Sequence, residues 1–227
     1  MRKNLIFVLI IVILVAVAGI FIFKNFKKME VAQKEEITMP KTAEGTPSLQ
    51  GKKVAMIIAF RDFRDAEYFV PKEILEKAGA KITTTSTKIG TAIGADGGDT
   101  EVDLLIENLN VADFDAVVFI GGPGCLEYLD NENSYKVARE TITQNKILGS
   151  ICISPVILAK AGVLKEKRAT VWSSPLDRGP VKILKENGAI YEDRDVVQDG
   201  KIVTGNGPEA AQEFGQKLVE LLTPTTK

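Results

Sequence analysis

Two hydropathy patterns divide the chain. From Leu5 to Phe23 (LIFVLIIVILVAVAGIFIF), 19 consecutive positions carry no charge and almost no polar side chain. At ~1.5 Å per residue that run matches the hydrocarbon core of a bilayer, so it predicts a transmembrane helix within residues 1–24. A cleaved signal peptide is the competing reading, because Ala16-Val17-Ala18 resembles a small-residue cleavage site. Five further apolar residues (GIFIF) before Lys24 favour an uncleaved anchor. Over residues 25–51 the pattern dissolves into charged and small residues with Pro40, Gly45 and Pro47, which predicts a flexible tether.

From Lys52 onward, apolar runs of strand length alternate with helix-patterned segments. This alternation predicts an α/β domain over residues 52–224, a flavodoxin-like three-layer sandwich with a mostly parallel sheet. Strands are expected at Val54–Phe60, Ala80–Thr85, Ala116–Ile120, Ile147–Ile151 and Ala169–Trp172. Helices are expected at Ala66–Ala78, Ser134–Gln144, Pro155–Ala161, Pro180–Asn187 and Pro208–Leu222. Each of those three prolines suits a first helical position, where a missing N–H costs nothing. Asp199-Gly200 reads as the turn of a hairpin, and Asp103–Leu109 fits either strand or helix. In such folds ligands bind beyond the carboxyl ends of the strands, so chemistry is sought in the strand-to-helix turns.

Composition narrows that chemistry. The 227 residues contain no histidine, which excludes Ser-His-Asp and Cys-His arrangements and any histidine metal cluster. Cys125 and Cys152 allow neither a disulfide scaffold nor a four-thiolate zinc site. The net charge of −1 argues against nucleic-acid binding. Residues 1–50 nevertheless carry seven basic and four acidic side chains, and this excess lies beside the apolar run, pointing to a membrane surface. Lysines and arginine flank both ends of the run, so orientation stays open between a cytoplasmic body and the extracytoplasmic body of a signal anchor, the latter being favoured.

Three turns stand out. In Ile147-Leu148-Gly149-Ser150-Ile151-Cys152-Ile153-Ser154-Pro155, a strand runs into a thiol and a helix begins three residues later. Ser150 and Ser154 supply the small neighbours that a nucleophile elbow requires, and a helix N-terminus near the sulfur favours thiolate. A buried, inert cysteine reads the same pattern equally well. Gly121-Gly122-Pro123-Gly124-Cys125 could present backbone N–H groups to an oxyanion, although a tight turn is sufficient reason for the glycines. In the third turn Asp65 could cap a helix, with Glu67 in its first turn.

Taken together, the segments AEYFVPKEILEKAGAKI, DAVVFIGGPG, ILGSICISPVILAKAGVLKEKRAT and DVVQDGKIVTGNGPEAAQEFGQKLVELL resemble the DJ-1/PfpI superfamily over about residues 52–222. This is the branch of class I glutamine amidotransferase-like folds that includes proteins described as intracellular proteases, glyoxalases and protein deglycases. The resemblance implies that Cys152 is the elbow nucleophile and Glu67 the carboxyl group beside it. It also implies that the N–H groups of Gly122 and Ile153 form an oxyanion site. Trp172 and Cys125 are expected near the pocket. A carboxyl group beside a thiolate raises its own pKa, so Glu67 could stay protonated and then move protons for a hemithioacetal.

The protease-like branch places histidine directly after the cysteine, whereas this chain has Ile153 there. Thr170–Ser174, where other branches keep a histidine, offers only an indole and hydroxyls, so peptide hydrolysis lacks an acid for its amine leaving group. The expected function is cofactor-independent and metal-independent cysteine chemistry on a small reactive carbonyl. The alternatives are a redox sensor whose elbow cysteine meets an oxidant, and a degenerate scaffold. By resemblance a homodimer is expected, with the bilayer as a second partner through residues 5–23.

Overall fold

The computed structural model describes residues 48–224. The predicted anchor and most of the predicted tether lie outside the described residues. Among the described residues no helix is long and apolar enough to cross a membrane. Leu49 is fully buried and its N–H donates to Ala78 O at 2.7 Å, so residues expected in the tether already belong to the folded domain.

In chain order the elements are β1 (Lys53–Ile57), β2 (Arg61–Phe63), α1 (Asp65–Lys77), β3 (Lys81–Ser86), β4 (Gly90–Gly94), β5 (Asp99–Val102) and β6 (Leu104–Leu105). Then come β7 (Ala116–Phe119), α2 (Cys125–Leu129), α3 (Glu132–Thr143), β8 (Ile147–Ile151) and α4 (Pro155–Lys160). The chain finishes with β9 (Arg168–Ala169), α5 (Gly179–Glu186), β10 (Ile190–Tyr191), β11 (Val196–Asp199), β12 (Ile202–Gly205) and α6 (Ala211–Leu222). Seven strands form the main sheet in the order β11-β12-β8-β7-β1-β3-β6. Every pairing in it is parallel except β11 with β12, the predicted hairpin.

The central strands read as continuous apolar runs because both faces of the sheet are covered. Side chains alternate between two cores. Ala55, Ile57, Val117, Phe119 and Leu148 join the core that includes Val137, Val156 and Leu184 from α3, α4 and α5. Val54, Met56, Val118, Ile120 and Ile151 join the other, with Leu75 of α1 and Phe214 and Leu218 of α6. A Cβ at Gly215 would lie 2.8 Å from Ile74 Cδ1 and 3.1 Å from Pro71 Cα, so a glycine is needed for the close crossing of α6 over α1.

Three expectations change. The strand expected at Ala169–Trp172 is only β9, which pairs with β10 in a separate two-stranded sheet rather than in the main one. Asp103–Leu109 divides into β6 and a 3₁₀ turn at Ile106–Asn108. The helix expected from Pro208 opens as a 3₁₀ turn over Pro208–Ala210 before α6 begins. The small sheet β2-β4-β5 was not expected at all, because its strands are short and polar. Asp65 helps to explain it. Rather than capping α1, its carboxylate accepts N–H bonds from Asp96 at 2.8 Å and Gly98 at 2.6 Å, holding the β4–β5 turn.

Candidate active site

Cys152 immediately follows β8, at the carboxyl edge of the main sheet. Its φ is +66°, a left-handed value that a non-glycine residue holds only when its surroundings impose it. Those surroundings are specific. The Cys152 N–H donates to Gly205 O on β12 at 2.9 Å, and its carbonyl accepts from the Trp172 N–H at 2.7 Å. Ser154 locks the other side of the turn: its Oγ accepts from the Ile151 N–H at 3.0 Å and lies 2.7 Å from Ser150 Oγ. Phe119 O, at 2.9 Å, offers that hydroxyl an acceptor on the neighbouring strand β7. The two small residues flanking the cysteine therefore tie the elbow to the sheet.

Glu67, the third residue of α1, is completely buried. Four residues later Pro71 lacks the N–H that would otherwise bond the Glu67 carbonyl within the helix. Neither carboxyl oxygen has a hydrogen-bond partner of standard geometry among the described residues. The Cys152 thiol and the Gly121 N–H lie alongside. Burial pushes the Glu67 carboxyl up to about 7, against the lowering influence of Cys152, the Arg64 guanidinium and the Gly121 N–H. The acid expected beside the sulfur is present and holds its proton up to neutrality.

The thiol is not the acidic one that a helix N-terminus was expected to make. Burial comes first in raising it, followed by the charge of Glu67 and the hydrogen bond with it, while the N–H groups of Gly122 and Ile153 pull it down. The helix behind it, α4, has only six residues, a short source of dipole against nearly complete burial. Both contributions of Glu67 to this rise belong to its carboxylate form. When Glu67 carries the proton it can donate to sulfur instead. The two groups thus titrate as a pair, whose first ionisation belongs to neither alone.

A stability prediction follows from Glu67. Its native pKa, about 7, lies above its ordinary 4.5, so the folded state keeps a proton that the unfolded chain gives up. This contribution is complete below about pH 4.5 and is lost as pH rises through 7, amounting to about 3 kcal/mol. Calorimetric melting between pH 5 and pH 8 should show Tm falling with pH by roughly 6–12 °C in the native chain and much less in Glu67→Gln. Equal slopes in the two proteins would refute the assignment.

A cavity of about 300 Å³ opens over the pair, lined by Arg64, Gly122, Pro123, Leu126, Cys152, Ile153 and Trp172. Cys152, Gly122, Ile153 and Trp172 were expected there, and the structure brings them together. Cys125 was expected too, but it does not line the cavity. As the first residue of α2 it is fully buried in the core that contains Phe119, Leu129 and Val156, and burial raises its thiol well above the ordinary range. Arg64, Pro123 and Leu126 were not anticipated. Arg64 stands three residues before Glu67 and resembles any surface arginine in sequence. It reaches the cavity because its N–H bonds Gly121 O at 3.1 Å, joining the start of α1 to the glycine loop.

The sequence profile of the DJ-1/PfpI family matches residues 52–221. An uncharacterized protein of Methanocaldococcus jannaschii is 39% identical over 180 residues, covering 79% of this chain and 86% of that protein. The protein named Deglycase PfpI, from Pyrococcus furiosus, is 30% identical over 167 residues, covering 74% of this chain and 98% of the relative. Among solved structures, a ThiJ/PfpI domain protein from Brachyspira murdochii superposes with a TM-score of 0.70 at 35% identity, covering 76% of this chain and 98% of that one.

Proposed function

The chain belongs to the DJ-1/PfpI family, and from that premise we propose that it is a cysteine enzyme converting small 2-oxoaldehydes to 2-hydroxy acids without a cofactor. The observation that carries this reading is the buried Glu67–Cys152 pair beneath an apolar cavity, with the N–H groups of Gly122 and Ile153 directed at the sulfur. The deglycase name of the Pyrococcus furiosus relative fits carbonyl chemistry of this kind.

The steps balance with one acid/base group. The thiolate attacks the aldehyde carbon and forms a C–S bond, while protonated Glu67 delivers its proton to the new alkoxide. The glycine-loop and elbow N–H groups hold the oxygen as charge develops on it. Glu67, now a carboxylate, removes the hydrogen on that carbon as a proton and returns it to the adjacent carbon, while the proton on the first carbon's oxygen passes to the oxygen of the second. The first carbon is oxidised to a thioester as the second is reduced to an alcohol. Water hydrolyses the thioester, restoring the thiol. A peptide amine leaving group would need a further acid, and among the described residues the cavity lining offers none.

The full chain, supplied with methylglyoxal in buffer free of added thiols, should release lactate. No lactate, or lactate only when glutathione is added, would overturn the proposal. We further propose, from the uncharged run Leu5–Phe23 and the basic residues flanking it, that the protein is held at a membrane with an extracytoplasmic domain, and, from the family resemblance, that this domain pairs with a second copy. Protease accessibility in intact cells tests the first part and sedimentation of the extracted protein the second; full protection, or a monomer, would count against each in turn.

A further inference from the structure

Among the described residues Arg64 is the only charged side chain lining the cavity. The other lining side chains, Pro123, Leu126, Ile153 and Trp172, are largely apolar, and Gly122 contributes backbone. The guanidinium is held at one corner, where a terminal nitrogen donates to Asp96 Oδ1 at 2.8 Å. Asp96 itself is about half exposed and lies on the turn after β4. Among the described residues the remaining Arg64 side-chain N–H groups have no acceptor. Five donors arranged in a planar fork, with one nitrogen anchored and the rest free, form a receptor for a carboxylate. The Arg64 charge also acts on the reacting groups, lowering Glu67, so it lies within electrostatic reach of the chemistry.

We propose that Arg64 selects substrates carrying an anionic group, so that the site takes 2-oxoaldehydes bearing a carboxylate in preference to neutral ones. This deepens the reading of Cys152 as nucleophile and rests on it. The carbonyl end meets Cys152 and the two N–H groups at the floor of the cavity. The short aliphatic stem lies against Leu126 and Trp172. The carboxylate takes the free side of the guanidinium, where burial of the stem strengthens the ion pair by excluding water. A cavity of about 300 Å³ accommodates a five-carbon compound of this type.

Two alkylating reagents test the charge selectivity without requiring turnover. The same thiolate displaces iodide from iodoacetate and from iodoacetamide, which differ in charge, so any effect of Arg64 on thiolate population cancels in the ratio of the iodoacetate rate to the iodoacetamide rate at Cys152. That ratio in the full chain should exceed the ratio for a free thiol by about fivefold or more. It should fall at least about threefold in Arg64→Gln and stay above half of the wild-type value in Arg64→Lys, which keeps the charge. A smaller fall in Arg64→Gln, or failure of both reagents to label Cys152, overturns the proposal.

Turnover supplies the second arm. The kcat/KM for 4,5-dioxopentanoate relative to 2-oxopentanal should exceed one by about tenfold and collapse in Arg64→Gln, chiefly through KM for the anion. If both compounds react equally well in the native chain, the selectivity fails while the carbonyl reading stands. If neither reacts but the alkylation ratio behaves as stated, the carbonyl reading fails and an anion-selective thiol site remains.

Discussion

Replacing Cys152 by alanine should abolish conversion of methylglyoxal to lactate, lowering kcat/KM by about 10⁴-fold or more, because no other group can form the C–S bond. The remaining thiol, Cys125, is fully buried outside the cavity, so it cannot substitute. Glu67→Gln should cost about 10²- to 10⁴-fold, since an amide neither accepts the carbon-bound proton nor returns it. The two groups exchange a single proton within one reaction sequence, so their effects should not add. The double variant is expected to be no worse than Cys152→Ala within about threefold. Steady-state assays on the three proteins decide this. Wild-type turnover in either single variant would remove its residue from the mechanism.

Gly121→Ala should destabilise the domain by about 2–4 kcal/mol and disable the site together with the fold. The φ of Gly121 is not among the positive ones, so backbone preference is not the cause. Space is. A Cβ there would lie 2.6 Å from Cys152 Cβ, 2.8 Å from Glu67 Oε2 and 2.8 Å from Ile151 O. Ile151 O is backbone of a central strand, and Cys152 is clamped by the hydrogen bond its N–H donates and the one its carbonyl accepts, so neither can move aside cheaply. Chemical denaturation should show the loss in the transition midpoint, and alkylation of Cys152 should speed up as the elbow loosens. An unchanged midpoint would mean that the glycine loop is more compliant than its contacts indicate.

The elbow was legible in sequence because local rules write it. A buried strand is a run of apolar residues, Pro155 marks the first helical position, and the small residues around Cys152 signal a tight turn. The hairpin at Asp199-Gly200 was legible for the same reason, with Gly200 at φ +59°. The β2-β4-β5 sheet left no such trace. Its strands carry few apolar side chains, and it is secured by the Asp65 carboxylate on a turn more than 30 residues away. Phe63, Tyr68 and Phe69 add edge-to-face ring contacts beneath it, with Tyr68 OH 2.6 Å from Thr84 Oγ1.

Sequence alone determined which residues could do chemistry. It offered a thiol on a strand-to-helix turn, two acids at the start of a helix (Asp65 and Glu67), a glycine loop and no imidazole anywhere, and the family resemblance singled out Glu67 as the neighbour of the sulfur. It also determined the layered order of strands and helices, because hydrophobic periodicity is a property of neighbouring residues. Tertiary structure alone decided how those groups behave. Whether a carboxyl near Cys152 keeps its proton to about pH 7, whether the thiol is made acidic by a helix or weakly acidic by burial, and whether Arg64 faces water or a cavity depend on desolvation and on charges from distant segments. Solvent exclusion is created only when β1, β7 and β8 bring their carboxyl ends together, so no local pattern in the chain can express it.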